Sequence, residues 1–300
     1  MSSSALSRPA KMEAWWLASR PKTLPAAMMP VLVGSALALH DGVFAPGPAL
    51  AALICALLIQ IGTNFSNDLL DFQAGTDTEK RTGPARAVAN RWITEREMLA
   101  GTVIVFGLTV PLGLYLIRAA GWPVLIIGLL SIAAGIAYTT GPLPLAYNGL
   151  GDLFVFIFFG LVATAGTYYV QAGTVNGFVL WGSVPAGALV TNILVVNNYR
   201  DIETDRETNK RTLATILGKT GTRIEFLILL VASYGIPFLF LSRYDLSLWI
   251  LLPLLSLPFG LRVFFKLMAG AEGKALNEVL AQTARLALGY GLLFSVGLML

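Results

Sequence analysis

The sequence predicts an all-α polytopic membrane protein: nine transmembrane helices in a single bundle around a central cavity, with a parallel internal repeat. Three observations predict it. Of 300 residues, 56% are hydrophobic and only 13% charged, and the mean hydropathy is +0.71. A soluble domain carries about a quarter charged residues, so the missing charge places most of the surface against lipid. Nine apolar stretches approach the roughly 20 residues that a helix needs to cross hydrocarbon: residues 24–40, 48–69, 98–117, 122–140, 151–171, 176–198, 223–242, 246–265 and 282–300. Assigning alternate loops to opposite sides puts 19 of the 21 Lys and Arg on one side, leaving Arg118 and Arg243 on the other. The excess of positive charge marks the cytoplasmic side. It puts the N-terminus and both long polar loops there and the C-terminus outside.

The elements follow in order. Residues 1–8, "MSSSALSR", read as a disordered tail. Residues 11–20 carry Trp15 and Trp16 among charges and read as a short interfacial helix with its indoles at headgroup level. Residues 1–23 are thus a tail and interfacial helix, and 24–300 the transmembrane domain. The first span follows Arg20 and Lys22 and resembles a leader, but Pro25, Pro30 and the prompt return to a second span argue against cleavage. His40 is the only histidine, so no multi-histidine metal site exists, and it reads as a loop residue. Cys55, the only cysteine, excludes an intramolecular disulfide and reads as a small buried hydrophobe.

The second span ends in "NDLLDFQAGTDTEKRTGPAR", Asn67 to Arg86. The sixth ends in "NNYRDIETDRETNKRTLATILGK", from Asn197. With an offset of 130, Asn67 meets Asn197, Asp71 meets Asp201, Thr78 meets Thr208, and Lys80-Arg81-Thr82 meets Lys210-Arg211-Thr212. Both spans run the same way across the membrane, so the repeat is parallel. Asn67 and Asp71 share a helix face, Asn64 and Asp68 form an adjoining row, and Asn197, Asp201 and Asp205 continue one row at i, i+4 and i+8. Clustered carboxylates repel one another and are costly to desolvate near lipid. A hard divalent cation removes that repulsion, and oxygen ligands suit Mg²⁺ sharing a substrate phosphate. Lys80, Arg81, Arg200, Lys210 and Arg211 supply the basic half that a diphosphate needs. A single acidic pattern at a helix end is more often just a solvated terminus. Two copies, with Asn64, Asn67, Asn192, Asn197 and Asn198 inside apolar helices, favour a site.

Four stretches carry a family resemblance: "RPKTLPAAMMPVLVG" (Arg20 to Gly34), "NFSNDLLDFQAGTDTEKRTGPAR" (Asn64 to Arg86), "YTTGPLPLAYNGLGD" (Tyr138 to Asp152) and "NNYRDIETDRETNKRTLATILG" (Asn197 to Gly218). In this order the chain resembles the UbiA superfamily of intramembrane aromatic prenyltransferases, and within it the branch acting on 1,4-dihydroxy-2-naphthoate in menaquinone synthesis. The resemblance implies Mg²⁺ held by Asn67, Asp68, Asp71, Asp201 and Asp205. The four aspartates Asp68, Asp71, Asp201 and Asp205 would then be catalytic. It implies diphosphate contacts from Arg20, Lys22, Arg81, Arg200 and Lys210, with Asn64 and Asn197 extending the polar face. It implies a polyprenyl diphosphate donor, an aromatic acid acceptor met by Tyr138, Tyr147 and Asn148, and release of CO₂. The superfamily often has a further acid where Gly75 stands here; Asp77, two residues on, is the nearest replacement. Two other readings are carried forward. One is prenylation of a different acceptor, such as 4-hydroxybenzoate or homogentisate. The other is a secondary transporter, which would place its polar site near the bilayer midplane.

Overall fold

The computed structural model describes residues 9–75, 83, 85–140, 144–273 and 275–300. Its helices are α1 (Lys11–Ala18), α2 (Pro25–His40), α3 (Pro46–Gln73), α4 (Glu95–Ala120), α5 (Pro123–Ala137), α6 (Gly151–Ala172), α7 (Gly177–Glu207), α8 (Leu213–Arg243), α9 (Leu248–Met268) and α10 (Ala275–Met299). Among the described residues the only β pairing is one isolated parallel bridge, Asn148 to Arg211. Helices α2 to α10 fall on the nine expected stretches. Seven of them, α3, α4 and α6 to α10, are each long and apolar enough to cross a membrane. An eighth span results if α1 and α2, bent by 51° at their junction, are counted together. The 15-residue α5 is apolar but short: it rises about 22 Å, less than the ~30 Å hydrocarbon core.

Local chemistry sets the helix ends. Proline opens α2, α3 and α5, where a missing N–H costs nothing. Thr94 and Glu97 form a reciprocal capping box on α4, and the side chains of Asn176 and Thr212 cap α7 and α8. Gly173 closes α6 in the left-handed conformation. Gly218, at φ 68°, breaks α8 after its first turn, so residues 213–217 form a separate step before the long helix.

The core surrounds α7, which packs against α2, α6, α8 and α10. Leu189, Phe226, Phe240, Tyr290 and Phe294 are fully buried there. The α6–α7 crossing rests on two glycines: a Cβ on Gly160 would stand 2.7 Å from the Cα of Gly187. Residues 156–165 of α6 take the wider π-helical turn beside this contact. One expectation about α1 needs correction. Trp15 is not presented outward beside Trp16; it turns inward, edge-on to Phe65 at 5.1 Å, while Trp16 stays 60% exposed. Ala14 and Ala18 are small enough to bring the helix against Leu69 and Met98, and that contact carries the Trp15 indole inside.

Candidate active site

One face of α3 lines a cavity of about 440 Å³ from end to end. The residues recur at helical spacing: Ala52, Cys55, Ala56, Ile59, Gln60, Thr63, Asn64, Asn67 and Asp71. The face is apolar where α3 begins and polar where it ends. Ile127 and Ile132 of α5, with Phe158, Val162 and Val170 of α6, continue the apolar wall. From α7 come Asn197, Asn198, Asp201, Thr204 and Asp205, followed by Thr208 and Lys210 beyond its end. Both acidic segments therefore open into one space, at the end of the bundle that carries nearly all the Lys and Arg. Cys55 is a half-buried hydrophobe, as expected, packed against the cluster of Ala51, Leu116, Val124 and Val170, and it also borders this space.

The polar end is built from paired charges. Arg86 donates to Asp71 Oδ2, and both side chains are nearly buried. The Tyr147 hydroxyl lies 3.5 Å from Asp71 Oδ1, and Thr139 Oγ1 donates to Asn67 Oδ1 at 2.8 Å. Lys210 Nζ sits 3.6 Å from Asp205 Oδ1 and 5.5 Å over the Tyr147 ring. Backbone pairing of Asn148 with Arg211 ties the segment after α5 to the segment after α7. Asn64 Nδ2 donates to the carbonyl of Ser19 at 3.0 Å, which fixes the turn bearing Arg20. Arg20 takes a left-handed backbone, φ 55°, and lines the cavity.

The structure separates the expected site residues into two groups. Asn64, Asn67, Asp71, Asn197, Asp201, Asp205, Arg20, Lys210 and Tyr138 all border the cavity. Asp68, Lys22, Arg200, Tyr147 and Asn148 are not among its lining residues, and Arg81 lies outside the described residues, as do Asp77 and Lys80. Asp68 accepts the backbone N–H groups of Ala87 and Val88, both at 3.0 Å, and so anchors the loop that presents Arg86. Arg200 lies behind Asp201. It donates to both oxygens of that carboxylate (2.8 and 2.6 Å), to Asn197 Oδ1 (2.9 Å) and to Asn277 Oδ1 of α10 (2.8 Å). Lys22 is exposed. Arg86, Thr139 and Asn277 are the polar partners that the sequence reading left out. Arg86 belongs to the run of basic residues after α3, but nothing in its spacing announces that the chain folds back onto Asp71.

The donor set can be tested against a metal. Asn67, Asp71, Asp201 and Asp205 offer hard oxygen atoms to one space, the chemistry that Mg²⁺ takes. Among the described residues no three carboxylate, imidazole or thiol groups converge enough to enclose an ion. The residues thus fit a metal as two half-sites, each balanced by its own cation, with remaining ligands left to a phosphate-bearing guest. Such a guest also suits the basic residues, and the charges at one end of the cavity do not suit a midplane transport site.

Residues 27–288 match the family model described as the UbiA prenyltransferase family. The chain is 38% identical over 297 residues to the 1,4-dihydroxy-2-naphthoate octaprenyltransferase of Escherichia coli (strain K12), covering 97% of this chain and 96% of that protein. In fold it is similar to an apo UbiA homolog from Aeropyrum pernix K1, with a TM-score of 0.69, 16% identity, and coverage of 91% of this chain and 96% of that one. It is also similar to a UbiA homolog from Archaeoglobus fulgidus bound to GPP and Mg²⁺, with a TM-score of 0.68, 14% identity, and coverage of 94% and 99%. With its fold, its two acidic segments and a family match over most of its length in agreement, the chain belongs to the UbiA prenyltransferase family.

Proposed function

We propose that the chain is a Mg²⁺-dependent intramembrane enzyme that moves a polyprenyl group from an allylic diphosphate to 1,4-dihydroxy-2-naphthoate, releasing CO₂ and diphosphate and forming demethylmenaquinone in its reduced, quinol form. One observation carries the reading: two acidic helix ends with their basic partners meet at one end of a cavity whose remaining wall is hydrocarbon. That shape suits a charged head on a long apolar tail. The name of the Escherichia coli relative specifies the same acceptor.

Asn67, Asp71, Asp201 and Asp205 would hold the metal, with Asp68 beside them on α3 anchoring the Ala87–Val88 loop. When bound, Mg²⁺ supplies positive charge that stabilises the departing diphosphate. Arg86 and Lys210 are placed to share their charge between the carboxylates and the diphosphate oxygens, joined by Arg20 and, in this proposal, Lys22 and Arg81. Arg200 holds Asp201 and Asn197 in register from behind. The allylic C–O bond breaks with its electron pair going to diphosphate. The acceptor carbon bearing the carboxylate then bonds to the allylic carbon. The C–C bond to the carboxylate breaks next, and its pair returns to the ring as CO₂ leaves. Starting from the carboxylate, no proton must be removed. The described cavity wall suits this: between Asn64 and the far end it has no carboxylate or imidazole to act as a base. An acceptor that loses a ring proton, such as 4-hydroxybenzoate, would need one. Tyr138 borders the cavity, while Tyr147 and Asn148 fix residues 144–150 beside it through Asp71, Lys210 and Arg211.

In this reading the family resemblance places the enzyme in a bacterial inner membrane, and the distribution of Lys and Arg puts its N-terminus and site on the cytoplasmic side and its C-terminus outside. The test is a panel assay in purified membranes: one allylic polyprenyl diphosphate, Mg²⁺, and labelled 1,4-dihydroxy-2-naphthoate, 4-hydroxybenzoate or homogentisate. Prenylated product with loss of CO₂ from the naphthoate, abolished by EDTA, is the expected result. Turnover of only another acceptor, or none with any, would overturn the reading.

A further inference from the structure

Along the hydrocarbon stretch of the cavity, most polar side chains satisfy themselves on their own helix. Ser131 donates to the carbonyl of Ile127 at 2.7 Å, Thr109 to Phe106 at 2.6 Å and Thr167 to Ala163 at 2.7 Å. Gln60 does not. Its side chain lies on the cavity face of α3, and it makes no hydrogen bond to a described residue. A primary amide carries two donors and an acceptor oxygen. Hydrocarbon satisfies none of them, and a polar side chain at membrane depth ordinarily bonds across to a neighbouring helix. An amide held toward a cavity without such a bond is placed for a guest. Thr63, one turn nearer the charged end, also borders the cavity and lies against Gly135 of α5, where the missing side chain leaves room.

Depth says which guest. Gln60 is seven residues from Asn67 and Thr63 is four, roughly 10 and 6 Å along the axis. The reacting allylic carbon hangs one bridging oxygen below the diphosphate. A bicyclic ring lying against that carbon extends its polar substituents to the level of Thr63 and Gln60. A polyprenyl tail has nothing to offer an amide, whereas a hydroxylated aromatic acid has hydroxyl and carboxylate oxygens. We propose that Gln60, with Thr63 beside it, binds the aromatic acceptor, the amide N–H donating to a hydroxyl or carboxylate oxygen of the ring. This inference rests on the prenyl-transfer reading above.

The experiment compares wild type with Gln60→Leu, Gln60→Asn and Thr63→Val in detergent. Steady-state KM is measured for each substrate separately. Acceptor binding is measured by the fluorescence of 1,4-dihydroxy-2-naphthoate with Mg²⁺ and a saturated diphosphate that cannot ionise. Wild-type turnover of the naphthoate decides the underlying reading independently. For the inference, Gln60→Leu should raise the acceptor KM and Kd about tenfold, the worth of one hydrogen bond to a charged or polar ligand. The donor KM should stay within about twofold, with partial recovery in Gln60→Asn. Acceptor KM and Kd left unchanged, or donor and acceptor KM rising together, would overturn it. If Gln60→Leu fails to elute as a folded protein, the same selective rise must appear in Thr63→Val, and its absence there overturns the proposal.

Discussion

The two copies of the internal repeat share their residues but not their surroundings. On α7, Asp201 is held by its own neighbour Arg200, which is itself fastened to Asn197 and to Asn277 of α10. On α3, Asp71 is held by Arg86, which arrives from a loop and faces the cavity. Helix α7 is buried along most of its length and meets the cavity only from Val190 onward; α3 gives the cavity a face from Ala52 to Asp71. The difference teaches that duplication placed the ligands, while the packing of each copy set how firmly they are held. One half-site is fixed in the core, and the other depends on a loop.

Substitutions can break this comparison. The largest effects should come from Asp71→Asn and Asp201→Asn, each lowering turnover by at least about a hundredfold in membrane assays, as loss of a group stabilising transition-state charge does. Asp201→Asn should lower the melting temperature more than Asp71→Asn, because Arg200 is tied into the core through Asn197 and Asn277 of α10 while Arg86 borders the cavity. Equal melting temperatures for the two variants would remove the distinction. The next effect concerns the partners. Arg200→Met should destabilise by about 3–5 kcal/mol, the cost of leaving a buried charge alone, while Arg86→Met should reduce turnover with a smaller loss of stability. Thermal unfolding in detergent, read beside activity, sharpens or reverses that order. The smallest effect is at Cys55, on the α3 face. Alkylation by an apolar maleimide should slow when a long-chain diphosphate and Mg²⁺ are added, and a short-chain donor should protect less. Equal protection by both would place the tail elsewhere.

Much of this was legible from residue spacing. Apolar runs located nine helical segments, and the i, i+4 rows on α3 and α7 placed Asn67, Asp71, Asp201 and Asp205 on one cavity. Spacing could not tell which way a neighbouring residue turns. Asp68 is one step around the helix from Asn67, and its carboxylate accepts two loop amides. Arg200 reads as a phosphate ligand in any list of basic residues, yet it closes on the aspartate next to it. Both outcomes depend on what packs behind the helix, which one strand of sequence does not contain. The role of Arg86 and the inward turn of Trp15 are hidden for the same reason: their partners lie across tertiary contacts. Gln60 was visible in the sequence all along, but an amide inside an apolar helix gains meaning only when its neighbours are known.

The charged groups of the cavity are confined to one end, and the rest of its wall is as oily as lipid. A guest is therefore retained by its anionic head and by little else. Once the diphosphate has been cut away, the remaining hydrocarbon is no better solvated inside the protein than outside it. Departure of the quinol then needs no driving force beyond loss of that head, because its chain exchanges one apolar surrounding for another.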